Sequence, residues 1–164
     1  MSRKTPTLHM LCGKIAAGKS TLAAKLGRAE GTVTLSEDMW LSQLFADQIS
    51  SPADYVRCSA KLRDAMGPHV VALLNAGVSV VLDFPANTFE NRSWMRSLLD
   101  QTQADHALHV LNPPDAVCLE RLHKRNAAQD HPFAATEKQF EMFSKHFVLP
   151  SAKEAFKIVE HSAV

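Results

Sequence analysis

Residues 13–20, which read GKIAAGKS, constrain the fold of this chain more than any other segment. They match the pattern G-x-x-x-x-G-K-[ST], in which a glycine-rich loop surrounds phosphate oxygens with its backbone N–H groups. An apolar run, TLHMLC, precedes the loop, and an amphipathic run that closes at Gly27 follows it. The segment therefore predicts a strand, a phosphate-binding loop and a helix in direct succession.

The chemistry of phosphate binding predicts roles for the residues of this loop. Glycine allows a tight turn without interference from a Cβ atom, and the helix that follows directs the positive end of its dipole at the same anion. Lys19 is expected to reach the β- and γ-phosphates of a nucleoside triphosphate, and the Ser20 hydroxyl is expected to bind Mg²⁺. The residues expected to contact the nucleotide from this loop are Gly13, Lys14, Ala16, Ala17, Gly18, Lys19, Ser20 and Thr21.

Strand-like and helix-like segments alternate along the chain. Apolar runs typical of strands occupy residues 7–13, 31–36, 78–84, 106–112 and 155–161, with helical patterns between them. Pro68 is expected either to start a new helix or to kink an existing one. This alternation predicts an α/β fold with a mostly parallel five-stranded sheet flanked by helices. At 164 residues, without internal repeats, a single domain over residues 1–164 is expected.

Composition narrows the class of protein. Eighteen basic and seventeen acidic residues leave a net charge of +1, so the chain has no general attraction to nucleic acids or anionic membranes. No apolar run has membrane-spanning length and no signal-peptide pattern precedes the first strand, so a cytoplasmic protein is expected. Cys12, Cys58 and Cys118 lack a Cys-x-x-Cys spacing, and are expected to be reduced and mostly buried.

Two carboxylates follow predicted strands at positions suited to phosphoryl transfer. Asp38 comes just after the second strand, with Glu37 as an alternative, and Asp83 ends the strand VSVVLD. A carboxylate near the γ-phosphate can accept the proton of an attacking hydroxyl, although acidic residues also favour the first turn of a helix. The chain has no Asn-Lys-x-Asp guanine-reading motif, and it is too short for an ATP-driven motor. A small kinase is therefore the expected class.

These segments together resemble the compact P-loop kinases, a family that includes polynucleotide 5′-kinase domains, chloramphenicol phosphotransferase, gluconate kinases and zeta toxins. Four segments carry the resemblance in chain order: the phosphate-binding loop, SEDMW, VVLDFPANTFENR and CLERLHKRN. The resemblance implies a three-layer P-loop NTPase fold of the nucleoside-kinase type with a small helical lid. It also implies ATP and Mg²⁺ as cofactors.

The resemblance implies roles for residues outside the loop. Asp38 would lie beside the acceptor hydroxyl, and Asp83 would orient the water shell of Mg²⁺ or the acceptor, with Ser20 and Asp83 as the metal-site residues. Asn87 and Arg92 would lie near the acceptor, although Arg92 could equally be a solvated helix residue. Phe84-Pro85 replaces the smaller residues of the family pattern, which leaves the alignment of Asn87 open.

The resemblance also implies a lid over residues 121–136. Arg121 and Arg125 are four residues apart on a predicted helix, with Lys124 between them, and they precede a polar segment that contains His131. In the family such arginines close over the phosphates, so Lys19, Asp38, Arg121 and Arg125 are the expected catalytic residues. The alternative is that basic residues here stabilise a helix C-terminus.

The function expected from the sequence is ATP-dependent transfer of the γ-phosphoryl group to a hydroxyl of a small molecule, either a metabolite or an antibiotic-like compound. The alternatives are a polynucleotide 5′-hydroxyl kinase, a zeta-toxin-like nucleotide-sugar kinase and a non-catalytic ATP-binding regulatory module. A nucleic acid acceptor is left open but is not favoured by the neutral charge. Residues 40–66 are expected to line the acceptor pocket, although the spacing of their apolar side chains favours core packing: Trp40, Leu44, Phe45 and Tyr55.

Overall fold

The computed structural model describes residues 4–129 and 134–162 of the chain. Its centre is a five-stranded sheet with the strand order β2-β3-β1-β4-β5. The strands are β1 (Thr7–Cys12), β2 (Thr32–Ser36), β3 (Ser79–Pro85), β4 (Asp105–Leu111) and β5 (Ile158–His161). Each of the four neighbouring pairs is parallel, so the sheet predicted to be mostly parallel is parallel throughout. The α/β P-loop NTPase-like fold is confirmed.

Six α-helices flank the sheet in the described part of the chain. They are α1 (Lys19–Leu26), α2 (Glu37–Phe45), α3 (Pro52–Asn75), α4 (Phe89–Leu99), α5 (Asp115–Ala128) and α6 (Glu137–Lys145). Serine or threonine side chains accept a backbone N–H at the start of four of them, α2, α3, α4 and α6, and so fix where these helices begin. Pro68 lies inside α3, which continues through it as one helix.

The main core lies between one face of the sheet and the helices α2, α3 and α4. Its buried side chains include Leu8, Met10, Leu41, Leu62, Leu82, Met95 and Leu108. On the opposite face, Leu11 and Val81 pack against Ala23 of α1. Burial of apolar residues on both faces explains why the central strands read as continuous apolar runs.

The apolar residues of the expected acceptor pocket divide into two groups. Trp40, Phe45 and Tyr55 are partly buried and pack against the main core, as their spacing predicted. Leu44 is exposed. Three of these four side chains therefore pack α2 and α3 against the core.

The strand order brings the expected functional segments together. Because β1 lies between β3 and β4, and β2 lies beside β3, the loops that follow β1, β2 and β3 share one edge of the sheet. In open α/β sheets, ligands bind at this carboxyl edge where the strand order reverses.

None of the helices in residues 4–129 and 134–162 is long and apolar enough to cross a lipid bilayer.

Candidate active site

The phosphate-binding loop has the backbone conformation that anion binding requires. Ala16 and Gly18 adopt left-handed conformations, with φ values of 60° and 107°. A Cβ atom at Gly13 would lie 2.8 Å from the carbonyl oxygen of Leu111, so only glycine fits between the loop and β4. Helix α1 begins immediately after Gly18 and its first turn, KSTL, contains no acidic residue. The loop therefore has the shape and the polarity to hold a triphosphate.

Lys19 folds back over the loop. Its Nζ atom donates to the carbonyl oxygen of Gly13 and, at 2.8 Å, to that of Lys14. Burial lowers the pKa of Lys19, and the negative charges of Asp83 and Asp38 act on it in the opposite direction. An ammonium group that is held by two loop carbonyls is positioned to meet a phosphate group in the loop.

The Asn87 side chain anchors the start of the loop. Asn87 Oδ1 accepts from Gly13 N–H at 2.8 Å, and Asn87 Nδ2 donates to the Gly13 carbonyl oxygen at 2.9 Å. The backbone oxygen of Asn87 in turn accepts from Val148 N–H at 2.8 Å. Asn87 thus connects the loop to the start of α4 and to the segment after α6.

Three other loop residues that were predicted to contact the nucleotide differ in the environment of their side chains. Lys14 Nζ donates to Asp115 of α5 at 2.7 Å and lies 5.4 Å from the centre of the Phe147 ring. Ser20 and Thr21 are exposed in the first turn of α1. The Lys14 side chain therefore joins the loop to α5. The group of Lys14 that is expected to contact phosphate is its backbone N–H.

The two acidic residues that begin α2 have different environments. The Glu37 side chain is only 2% exposed, and its Oε1 accepts a hydrogen bond from the Tyr55 hydroxyl. Its Oε2 is buried and has no hydrogen-bond partner in the described part of the chain. Burial raises the pKa of Glu37 to about 7, whereas the bond from Tyr55 acts to lower it. Asp38 is partly exposed, so it is the more accessible of the two carboxylates.

Asp83 lies on β3 directly beside the start of α2. It pairs in register with Ser36 of β2, the residue that caps α2. Asp83 is partly exposed at the carboxyl edge of the sheet, and its charge acts on Lys19. The structure thus brings Lys19, Asp38 and Asp83 into one neighbourhood.

Arg121 contacts the loop from α5. Its guanidinium donates to the Ala17 carbonyl oxygen at 3.3 Å, and a Cβ atom at Gly18 would lie 3.8 Å from it. Arg125 is partly buried one turn further along the same helix. Asn126 donates to the carbonyl oxygen of Ala135 at 2.7 Å and so ties the end of α5 to the start of α6. His131 and the centre of the predicted lid, residues 130–133, lie outside the described residues.

The chain also matches a known protein family. The AAA_33 family, described as an AAA domain, matches residues 8–150. The chain belongs to this family. No curated protein matches the chain in sequence.

Solved structures with similar folds include kinases. A protein from Chloroflexus aurantiacus, described as a "putative kinase", has a TM-score of 0.75 and 20% identity over 98% of this chain and 86% of its own. A sugar kinase from Janibacter has a TM-score of 0.66 and 18% identity over 96% of this chain and 86% of its own. These structures and the family match confirm the resemblance to compact P-loop kinases.

A component of the Pnkp1/Rnl/Hen1 RNA repair complex is also similar, with a TM-score of 0.65 and 22% identity. The match covers 88% of this chain but only 45% of the RNA repair protein. The chain therefore spans about half the length of that protein.

Arg92, which was predicted to lie near Asp83 and the acceptor, is buried among protein groups. The side chain is 1% exposed; Nε donates to Glu154 at 2.7 Å, and Nη1 donates to the carbonyl oxygens of Ala86 and Val148 at 2.9 and 2.7 Å. It is therefore not a solvated helix residue, and its partners are protein groups that tie α4 to the C-terminal segment. This geometry favours a structural role over contact with the acceptor.

Two features of this region were not predicted from the sequence: the burial of Arg92 and the hydrogen bond between Tyr55 and Glu37. The signal for burial of Arg92 was present, because Arg92, Met95 and Leu99 share one face of α4. The bond between Tyr55 and Glu37 had no local signal, since it joins residues eighteen positions apart.

Cys12, Cys58 and Cys118, all within the described chain, are buried free thiols as predicted.

Proposed function

We propose that this chain is an ATP-dependent kinase that transfers the γ-phosphoryl group of ATP to a hydroxyl group of a small molecule. The observation that carries the proposal is the position of Lys19, which bridges the loop carbonyls while the charges of Asp83 and Asp38 act on it. A phosphate site with carboxylates at its open side is what phosphoryl transfer to a hydroxyl needs.

In this proposal the residues of the loop bind the phosphates. The backbone N–H groups of residues 13–21 and the Lys19 ammonium hold the β- and γ-phosphates. Arg121, which already contacts the loop, and Arg125 from the same helix neutralise the charge that develops during transfer. Asp38 accepts the proton of the attacking hydroxyl and orients its oxygen towards the γ-phosphate.

Ser20 and Asp83 are the residues that fit Mg²⁺. They offer a hydroxyl and a carboxylate oxygen, which are ligands that Mg²⁺ prefers, and each is at least partly exposed. The described residues contain no group of three or more His, Cys, Asp or Glu side chains arranged as a metal site. This suits an ion that keeps several waters and is held partly by substrate phosphates. When bound, Mg²⁺ would neutralise negative charge on the phosphates.

A second candidate acceptor is the 5′-hydroxyl of an RNA end. The similarity to a component of an RNA repair complex favours it. The net charge of +1 favours a small molecule, because strong RNA binding depends on many contacts between cations and phosphates. A non-catalytic nucleotide-binding module has no need of an acceptor-side carboxylate such as Asp38, so it is the least favoured alternative.

A two-stage experiment tests the proposed function. Thermal-shift screening with Mg²⁺ and a non-hydrolysable ATP analogue identifies hydroxylated metabolites, antibiotics or 5′-hydroxyl oligonucleotides that stabilise the protein further. Label transfer from [γ-³²P]ATP to each stabilising compound then measures the reaction. Transfer to one compound class supports the proposal, and binding of ATP without transfer to any compound supports the regulatory module.

A further inference from the structure

Tyr55 is the single tyrosine of the chain, and its side chain contacts both α2 and α6. Its hydroxyl donates to Glu37, the residue immediately before Asp38. Its ring packs edge to face against Phe143 of α6, with ring centres 6.5 Å apart and planes inclined at 65°. Tyr55 therefore joins the start of α2 to a helix that follows the predicted lid.

The bond to Glu37 joins α3 to the first turn of α2. Burial and the neighbouring Glu37 raise the pKa of Tyr55, so its hydroxyl stays protonated and remains a donor. The Glu37 carboxyl is buried with one oxygen held by Tyr55. Charged or ionisable groups that act on Glu37 from the surrounding elements are Asp38 of α2, Arg63 of α3 and Asp83 of β3. A shift of the Tyr55 hydroxyl would therefore act on Glu37, the residue that precedes Asp38 in the first turn of α2.

The contact with Phe143 leads back to the phosphate-binding loop. Phe140, one turn earlier on α6, is buried against Cys118 and Leu122 of α5. The same helix α5 carries Arg121, whose guanidinium bonds the loop. Contacts thus connect the loop to α5 through Arg121, α5 to α6 through Phe140, and α6 to Tyr55 through Phe143.

We propose that Tyr55 is a positioning residue that links the nucleotide side of the cleft to the acceptor-side carboxylate, through Phe143 on one side and Glu37 on the other. The proposal rests on the proposed function. A nucleotide in the loop would engage Arg121, shift α5 with α6, and press Phe143 on the Tyr55 ring. Glu37 and Asp38 would then take their places when the nucleotide is bound.

The single tyrosine allows a direct test that needs no acceptor. In protein labelled with [¹³Cζ]tyrosine, one NMR resonance reports Tyr55, and calorimetry on the same sample reports binding of a non-hydrolysable ATP analogue with Mg²⁺. We expect the resonance to move on nucleotide binding by more than its linewidth. We expect Phe143→Leu, a change at a partly exposed residue, to reduce that movement by at least half. Met142→Leu, at the preceding and also exposed residue, is the matched control and should retain it.

Each outcome of this test has a distinct meaning. If the nucleotide does not bind to the wild-type protein, both the proposed function and this proposal fail. If it binds but the resonance does not move, or moves equally in Phe143→Leu, then Tyr55 is not the link and the proposed function stands. Movement in the wild type and in Met142→Leu that is reduced by at least half in Phe143→Leu supports the link.

Steady-state kinetics add a readout that a purely structural role would not change. Tyr55→Phe keeps the ring and removes the donor to Glu37. With an acceptor in hand, we expect kcat to fall about tenfold, the effect of losing one hydrogen bond that positions a reacting group, while ATP affinity stays within about twofold. An unchanged kcat, or an equal loss of ATP affinity, would overturn the proposal.

Discussion

The Asn87 side chain forms hydrogen bonds with both ends of one residue of the phosphate-binding loop, Gly13. Its oxygen accepts from Gly13 N–H at 2.8 Å and its nitrogen donates to the Gly13 carbonyl oxygen at 2.9 Å. That carbonyl oxygen also accepts from Lys19 Nζ. Asn87 therefore positions the Gly13 carbonyl group, to which the Lys19 ammonium donates a hydrogen bond.

Loss of this double contact should weaken nucleotide binding. Two neutral hydrogen bonds contribute about 1 kcal/mol each, and part of that is recovered through water after substitution. We expect Asn87→Ala to lower ATP affinity by about tenfold, measured by calorimetry with Mg²⁺. Asn75→Ala, at the exposed last residue of α3, is the control and should bind ATP as the wild type does. Equal affinity in Asn87→Ala would show that the loop does not depend on Asn87.

The buried pair Arg92–Glu154 should matter for stability. Removal of one partner from a buried ion pair leaves the other charge without compensation, which typically costs about 3–5 kcal/mol. We expect Arg92→Met to lower the free energy of unfolding in urea by an amount in that range. Arg57→Met breaks an exposed pair with Asp54 of similar length, 2.8 Å, and should lower the free energy of unfolding far less than Arg92→Met does. A stable Arg92→Met protein with a raised KM for the acceptor would instead restore the predicted role in substrate binding.

A row of three histidines should make the fold sensitive to acid. His109 lies between His9 and His161 on adjacent strands, with ring nitrogens 3.0 and 2.8 Å apart. Burial lowers the pKa of His109 to about 4, and the flanking histidines act in the same direction. An unfolded histidine titrates near pH 6.5, so below that pH the unfolded chain binds more protons here than the folded chain does. This contribution to stability is complete above pH 6.5 and is lost as the pH falls towards 4.

Urea unfolding at pH 7.5 and pH 5.0 measures this effect. We expect the wild type to lose about 2 kcal/mol more stability between these two pH values than His109→Gln loses. His69→Gln, at an exposed position on α3, should lose as much as the wild type. Equal losses in the wild type and His109→Gln would mean that His109 is protonated in the folded state as readily as in the unfolded state.

Much of the fold could be predicted because its signals are local. The spacing of Gly13, Gly18 and Lys19 specifies a strand, a loop and a helix within one short segment. Runs of β-branched residues between turn signals locate β2 and β3, and alternation with amphipathic segments predicts a parallel sheet. The positions of Asp38 and Asp83 near Lys19 follow from this topology, because Lys19 and Asp38 follow β1 and β2, and Asp83 lies at the carboxyl end of β3 between those two strands.

The contacts that complete the site are long-range and had no comparable signal. Arg92 and Glu154 are sixty-two positions apart, and nothing in either local pattern indicates the other. The histidine row depends on the register of β1, β4 and β5, which the sequence of each strand alone does not fix. Such contacts become predictable only when the packing of the elements is known.

Substitution of the acidic pair at the start of α2 tests which carboxylate faces the acceptor. Asp38→Asn keeps the shape of the side chain but removes its charge, so turnover with acceptor should fall about 10²–10⁴-fold while ATP affinity is nearly unchanged. Glu37→Gln, a change at the buried neighbour, should lower turnover less than Asp38→Asn does. The reverse ranking would assign the base to Glu37. Full activity in both variants would make Asp83 the next candidate for the carboxylate that faces the acceptor.

The central claim is that the phosphate-binding loop supports transfer of the γ-phosphoryl group to a hydroxyl. The measurement that tests it most directly is label transfer from [γ-³²P]ATP to the acceptor by the wild type, by Lys19→Ala and by Lys25→Ala, a control at an exposed residue of α1. We predict that Lys19→Ala lowers transfer by at least about 10²-fold and weakens ATP binding, while Lys25→Ala behaves as the wild type does. Transfer by Lys19→Ala at the wild-type rate would contradict the account.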